Sequence, residues 1–301
     1  MIQRERNLPS GSIGPRHLPV HTATPCRNCP LHRAYLCRAI FDKGAHNTSP
    51  PQLRHYDKGK LIVEQGTLLG FLGVIRRGYA RWSDFRIDGR RILFGLAVPG
   101  DIAGALPDQP LALGFEAATD LEICIYDIRS LKWHFAENRQ FRQQLLREVD
   151  TQYHRFLGGI WRYGTLNSRE RIIAFLVKAT EYMPTEPLPD GSLVLTMEIE
   201  RRDWADLTNA AVETISRTLR YLEEKALLTS ISPYRFRIHD LERLALIAGV
   251  ELPRRQRLER LPPATSTKLC DTEKLRTPMT AVNASRTSIE SRSALAPTDG
   301  S

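Results

Sequence analysis

The chain has 301 residues, 42% of them apolar, which is enough for about two domains with buried cores. No stretch approaches the roughly eighteen apolar residues that cross a bilayer, and the N-terminus lacks the apolar core of a secretory signal. These absences predict a cytoplasmic protein with no membrane partner. The net charge of +9 lies mostly at the two ends, because residues 51–250 contain 27 basic and 26 acidic side chains. Bulk charge therefore gives weak support for a nucleic-acid partner.

Residues 1–50 read as a loosely structured leader that contains three of the five cysteines. Cys26, Cys29 and Cys37 lie within twelve residues, whereas Cys124 and Cys270 are isolated. An odd number of cysteines in a chain without an export signal predicts reduced thiols rather than disulfides. Buried structural cysteines are scattered along a sequence, so this crowding indicates a chemical role for the leader.

The next segment, residues 51–130, predicts a small β-roll or β-barrel. Glycines recur between short apolar or alternating runs such as KLIVEQG, GFLGVIRRG and RILFGLAV, which is typical of antiparallel strands joined by turns. Asp88 and Gly89 stand between two such runs. This pair is favoured in tight hairpins because both central positions need a positive φ.

Residues 131–165 carry the pattern of one long helix. Apolar side chains recur at steps of three or four over about six turns. They are Phe141, Leu145, Val149, Tyr153, Phe156, Ile160 and Tyr163. A stripe that only covers its own β-roll would be shorter, so we expect this helix to form the seam of a homodimer. The pair Gly158-Gly159 is expected to weaken the helix and to favour a kink.

Residues 166–250 predict a second compact domain. A helix capped by Asn167 or Ser168 is followed by a strand, two helices and a closing hairpin, LLTSISPYRFRI. The two helices suit a helix-turn-helix with a turn at Thr208-Asn209, since asparagine tolerates the left-handed backbone of tight turns. Residues 251–301 contain eighteen Ser, Thr or Pro and no aromatic residue, so a disordered tail is expected there.

The second helix, which begins near Ala211, has two contrasting faces. Val212, Ile215, Leu219 and Leu222 share one face, which leaves Glu213, Ser216, Arg217 and Arg220 on the other. An ordinary amphipathic helix has such a solvated face. The same side chains also suit DNA, because Glu accepts from cytosine, Arg grips guanine and Ser bonds phosphates or base edges. The predicted wing beside this helix favours DNA binding.

Together, the β-roll, the long helix and the winged helix with the motif VETISR (residues 212–217) resemble the Crp/Fnr superfamily of bacterial transcription regulators. The resemblance covers roughly residues 20–245. It implies an α+β fold and a homodimeric activator, without enzymatic activity, that binds palindromic double-stranded DNA and contacts RNA polymerase. In the Fnr-like branch, positions matching Glu213, Ser216 and Arg217 read half-sites of the TTGAT…ATCAA type. Thr208-Asn209 replaces the common Leu-Gly, so the turn geometry is expected to differ slightly.

The same branch implies a [4Fe-4S] cluster. The spacing Cys26-x2-Cys29-x7-Cys37 resembles that of alphaproteobacterial Fnr-like regulators, and Cys124 matches the position of the fourth ligand. We therefore expect an oxygen-responsive regulator that is active as a cluster-loaded homodimer. Alternatives stay open: structural zinc bound by the leader cysteines with His21 or His32, simple core packing of Cys124, or nitric oxide as the signal.

A cyclic nucleotide is the other effector known from this superfamily. Its phosphate needs glycine amides and an Arg-Ser pair. Gly100 and Gly104 are present in VPGDIAGALPDQP, but no Arg-Ser pair follows. Asp101 places a negative charge beside the expected phosphate, with no cation near it in the sequence. The sequence therefore disfavours a cyclic nucleotide.

Overall fold

A computed structural model describes most of the chain. The described residues are 29, 31, 35–41, 50–85, 87–88, 91–104 and 109–253. The predictions about Cys26, the two leader histidines, Gly89, Cys270 and the tail after residue 253 lie outside the described residues and stay predictions. Within the described part, no helix is both long and apolar enough to cross a membrane.

The β-roll strands, the long helix and the helix-turn-helix follow each other in the predicted order, whereas α1, α2, β9 and α7 are additional elements. The strands are β1 (Gln52–Tyr56), β2 (Leu61–Val63), β3 (Phe71–Arg77), β4 (Ala80–Phe85), β5 (Arg91–Ala97), β6 (Ile102–Gly104), β7 (Gly114–Ala117), β8 (Leu121–Asp127), β9 (Thr185–Pro187), β10 (Leu193–Thr196), β11 (Leu228–Ser232) and β12 (Arg235–Ile238). The helices are α1 (Tyr35–Phe41), α2 (Lys132–Ala136), α3 (Arg139–Thr165), α4 (Ser168–Ala179), α5 (Arg201–Thr208), α6 (Val212–Glu224) and α7 (Leu241–Ala248).

Two antiparallel four-stranded sheets form the β-roll, with strand orders β1-β8-β3-β6 and β2-β7-β4-β5. Its inner core contains alternate residues of the strands, such as Ile75, Phe115 and Ile123. The β4–β5 hairpin is confirmed, but Phe85 pairs with Arg91, so five residues connect the strands rather than a two-residue turn.

Helix α3 carries all seven residues of the predicted stripe, but they do not share one face. Phe141 and Leu145 are buried against the outside of the β-roll, and Phe156 packs on its core. Val149, Tyr153 and Ile160 are exposed, together with three further apolar residues that the predicted stripe omits: Leu146, Leu157 and Trp161. The stripe therefore combines an inward and an outward face. The helix continues through Gly158-Gly159 without interruption.

Helices α4 to α7 and strands β9 to β12 (residues 168–248) form what we call the winged-helix unit. Its sheet has the order β11-β12-β10-β9 and covers a core that contains Trp204, Ile215 and Phe236. Asn167, one of the two predicted caps, forms a reciprocal capping box with Glu170 at the start of α4. Helix α7, which the sequence analysis did not predict, packs against α4.

Candidate functional site

The turn between α5 and α6 has the geometry that Asn209 predicts. Asn209 ends α5 with φ 45° and ψ 51°, the left-handed conformation that asparagine adopts more readily than most residues. Arg171 of α4 donates from Nε to the Thr208 carbonyl (2.7 Å) and from a terminal nitrogen to the Asn209 carbonyl (3.1 Å). Helix α4 therefore fixes the turn between α5 and α6 through two hydrogen bonds to carbonyl groups of the turn.

Helix α6 presents a polar face to the exterior. Ile215, Leu219 and Leu222 are buried in the core of the winged-helix unit, whereas Val212, which was assigned to the same face, is 40% exposed. The four predicted DNA-contacting residues are all exposed: Glu213, Ser216, Arg217 and Arg220. They occupy the N-terminal and middle turns of the helix, the part that enters the major groove in helix-turn-helix proteins.

A further cation lies beside this helix. The guanidinium of Arg169, an exposed residue in the first turn of α4, lies 4.3 Å from the ring centroid of Tyr221 on α6. Such a stacked arginine keeps its charge exposed while its position is fixed by the ring. Sequence reasoning missed this pair because its members are 52 positions apart and belong to different helices.

Strand β8 places Cys124 on the outer face of the β-roll. Residues alternate along the strand, so Ile123 and Ile125 point into the inner core, whereas Cys124 and Tyr126 point the other way. Cys124 pairs across the sheet with Leu53 of β1 and Val74 of β3. It is partly buried and therefore does not belong to the closed interior of the roll.

The leader covers this outer face. Cys37 of α1 is buried in a cluster of packed side chains that also includes Leu36, Ile40 and Tyr126, and both Cys29 and Cys124 pack against that cluster. The hydroxyl of Tyr126 donates to Cys37 Sγ at 3.6 Å. Three of the four predicted ligands are therefore in one cluster, although the leader and β8 are more than eighty residues apart in the sequence.

Asn138 connects α1 to the start of α3. Its side-chain oxygen accepts from the Phe141 N–H (3.0 Å) and caps α3, while its side-chain nitrogen donates to the Ala39 carbonyl of α1 (3.0 Å). The same nitrogen lies 3.0 Å from His134 Nδ1 on α2. Asn138 is 2% exposed, so these hydrogen bonds are shielded from water. The position of the cysteine-bearing helix is thereby coupled to the N-terminus of α3.

The donor set suits a thiolate-bound centre in its chemistry. None of Cys29, Cys37 and Cys124 forms a disulfide with another described residue. Within the described part of the chain, however, no three His, Cys, Asp or Glu side chains are arranged closely enough to hold a metal ion. A metal centre here thus depends on Cys26, which is outside the described residues, or on a closer approach of the described thiols.

The structure corrects one argument about Asp101. Its carboxylate is buried and receives two hydrogen bonds from the Arg155 guanidinium of α3, at 2.6 and 2.7 Å. It also accepts from the Val98 N–H at 2.9 Å. Asp101 therefore has a cation, which sequence reasoning missed because Arg155 is 54 residues away. Its charge ties the β5–β6 turn to α3 and is no direct argument against an anionic ligand.

Comparisons with known proteins agree with this architecture. Residues 170–247 match the family model described as a Crp-like helix-turn-helix domain. The transcriptional activator protein FnrL of Cereibacter sphaeroides is 24% identical, over 74% of this chain and 92% of that protein. The transcriptional activatory protein AadR of Rhodopseudomonas palustris is 29% identical, over 57% of this chain and 71% of that protein.

Solved structures show the same fold. FixK2 from Bradyrhizobium japonicum superimposes with a TM-score of 0.59 at 21% identity, and covers 65% of this chain and 96% of its own. FnrL and AadR are transcriptional activators by name. The chain therefore has the fold of FixK2, and its residues 170–247 match a Crp-like helix-turn-helix domain.

Proposed function

We propose that this chain is a cytoplasmic, oxygen-responsive transcription regulator that binds palindromic DNA as a [4Fe-4S]-loaded homodimer. The observation that carries the sensing part is the convergence of Cys29, Cys37 and Cys124 on one side-chain cluster beside the start of α3. Cys124 packs against the same cluster as the two leader cysteines, although it lies more than eighty residues after them in the sequence. The name of FnrL, a transcriptional activator, supports the regulatory part.

The DNA-contacting residues are Glu213, Ser216, Arg217 and Arg220 on the exposed face of α6. Arginine and glutamate on such a face read guanine and cytosine in the major groove, and serine bonds a phosphate or a base edge. We propose half-sites of the TTGAT…ATCAA type, on which the bound dimer contacts RNA polymerase. A palindrome requires two recognition helices about one DNA turn apart, so the protein must bind as a symmetric dimer.

The outward apolar face of α3 supplies the dimer seam. Leu146, Val149, Tyr153 and Ile160 recur at steps of three, four and seven, and each is at least 43% exposed in the single chain. With Leu157 and Trp161, six apolar side chains share this exposed helix face, which is a larger apolar patch than a monomer normally leaves in water. A second copy of the same helix, packed as a coiled coil, buries them.

The four ligands in this proposal are Cys26, Cys29, Cys37 and Cys124. When bound, the cluster would supply an iron–sulfur centre that is lost when oxygen reacts with it. The chain itself provides the coupling, because ligands from the leader and from β8 hold α1 on the β-roll and Asn138 joins α1 to α3. A ligand that binds the dimer more tightly than the monomer stabilises the dimer by mass action.

Anaerobic purification with iron, sulfide and zinc analysis tests this proposal. We expect about four irons and four sulfides per chain, a broad visible absorption band and operator binding that is lost in air. Cys29→Ser should lack the visible band and the oxygen response, whereas Cys270→Ser, a matched substitution of an unassigned thiol, should keep both. One zinc per chain without visible absorption would contradict the cluster. Operator binding that is lost on exposure to nitric oxide but not to oxygen would identify nitric oxide as the signal.

A further inference from the structure

A group of buried charges joins the β-roll to the first helix of the helix-turn-helix. Arg81 of β4 contacts Asp203 of α5 at 2.5 Å and also pairs with Glu116 of β7. Arg91 of β5 contacts Asp206 at 2.6 Å and Asp203 at 3.2 Å. We call these five residues the interdomain charge cluster. It links three strands of the β-roll to a helix more than 80 residues further along the chain.

The burial of this cluster favours a role in orienting α5 on the β-roll rather than in stabilising the fold. Arg81 is 6% and Asp203 1% exposed, so both charges lose most of their hydration. Burial raises the pKa of Asp203, and the neighbouring Arg81 and Arg91 oppose that effect. Asp203 Oδ2 and Arg81 Nε have no hydrogen-bond partner among the described residues. Incompletely satisfied buried ion pairs add little stability over apolar packing, so we look for the role of this cluster in the orientation of α5.

Strand β5 is the element that connects this cluster to the dimer helix. It is the edge strand of its sheet and packs against both α3 and α5. A Cβ atom at Gly95 would lie 2.7 Å from the Phe156 ring of α3, so the close approach of β5 to α3 requires glycine at this position. One strand therefore touches the helix where two copies meet and the helix that supports the recognition helix.

Elsewhere a cleft separates α3 from the winged-helix unit. Its volume is about 930 Å³, and its lining includes Thr151 and Arg162 of α3, Gly95 of β5, and Lys178 and Leu207 of the winged-helix unit. Because α3 and the winged-helix unit are apart along this cleft, the angle between α3 and α6 depends on the chain connection after Thr165 and on the surfaces where the β-roll contacts the winged-helix unit. These surfaces include α5 and the hydroxyl of Tyr79, which donates to Glu198 and to the Tyr182 carbonyl.

We propose that the interdomain charge cluster sets the angle of the recognition helix relative to the dimer seam, with Arg91 and Asp206 as positioning residues. Helices α5 and α6 share the core around Trp204, Ile215 and Leu222, so α6 follows α5. In a homodimer, fixing α6 against α3 presets the separation of the two recognition helices. Preset spacing favours a palindrome with two half-sites, whereas a single half-site is indifferent to it.

Arg91 and Asp206 suit a test because they are partly exposed, with side chains 18% and 32% accessible, and because the buried Asp203 keeps Arg81 as its partner in every variant. The variants are Arg91→Gln, Asp206→Asn and the double substitution. Each is titrated with the palindromic duplex that the wild-type protein selects from a random pool, and with a duplex that carries one half of it. Arg76→Gln is the matched control, since it breaks a similarly exposed pair with Glu122 inside the β-roll.

Each single variant should lose about tenfold in affinity for the palindrome, equal to about 1.4 kcal/mol, and change less than about twofold on the half-site. The double variant should lose no more than Arg91→Gln alone, because the removal of Arg91 already breaks its pair with Asp206. Arg76→Gln should bind both duplexes like the wild type. Equal losses on both duplexes, additive losses in the double variant, or tighter binding to the palindrome would overturn the proposal.

This inference rests on the proposed homodimer. A wild-type protein that selects no palindrome would refute the dimeric binding mode itself. A wild type that selects one, with variants that keep the wild-type ratio of palindrome to half-site affinity, would refute only the role of the charge cluster.

Discussion

The outward face of α3 allows the proposed dimer to be tested quantitatively. Leu146 is 67% exposed in the single chain. Burying that fraction of a leucine contributes about 1–2 kcal/mol, and a symmetric interface contains the contact twice. Leu146→Glu should therefore remove about 2–4 kcal/mol per dimer, which weakens dimerisation about 30-fold to 1,000-fold at 1.4 kcal/mol per tenfold. The buried glutamate adds a further cost of desolvation.

Sedimentation equilibrium of the anaerobic protein measures this change as a shift in the dimer dissociation constant. Thr151→Glu is the matched control, because Thr151 is exposed on the same helix about 140° from Leu146 at 100° per residue. Far-UV circular dichroism confirms that both variants keep their helices. A Leu146→Glu protein that dimerises like the wild type, or a Thr151→Glu protein that dissociates equally, would refute the assignment of this face.

Four further predictions concern single residues. Arg217→Ala should cost about 1–3 kcal/mol in operator affinity and relax the base preference at one position, measured by binding to operators with single-base changes; an unchanged preference would remove Arg217 from the readout. Asn209→Val should lower the free energy of unfolding by about 1–2 kcal/mol because a β-branched residue resists φ 45°, while Asn209→Gly should stay near the wild type in urea titrations. Tyr126→Phe should cost about 0.5–1.5 kcal/mol in the same assay, since it removes the hydrogen bond to Cys37, and no loss would argue against that contact. Hydrogen bonds from Ser192 and a contact with Arg237 lower the pKa of Asp190 to about 2 from 3.8, so its contribution to stability is present above about pH 4 and is lost as the pH falls towards 2; Asp190→Asn should flatten that pH dependence.

Features that depend on local chemistry were predictable from the sequence. The helix-turn-helix follows from the apolar spacing of α6 and from the left-handed tolerance of Asn209, and the cap of α4 follows from Asn167 and Ser168 at its start. Glycine spacing indicates the β-roll because turns need positive φ at defined positions, as at Gly78. These signals act over a few residues, so neighbouring positions contain all the information.

Features that depend on the packing of elements distant in the sequence were not predictable from the sequence. The partner of Asp101 is Arg155, and the stacking partner of Tyr221 is Arg169. Apolar periodicity also cannot separate the two faces of α3, because a helix between the β-roll and a second copy is apolar on both. Helix α7 had a local signal that went unused: its N-cap Asp240 and the left-handed Gly249 after its last residue.

The position of Cys124 in its sheet determines which element moves when a bond to its thiol forms or breaks. Strand β8 is hydrogen-bonded on both sides, to β1 and to β3, so the thiol stands on a rigid support. Helix α1 has no such ladder and is held by side-chain packing and by Asn138. A bond made or broken between Cys124 and a cysteine of the leader therefore displaces α1 more than it displaces β8. Because Asn138 joins α1 to α3, the N-terminal turn of α3 moves with α1.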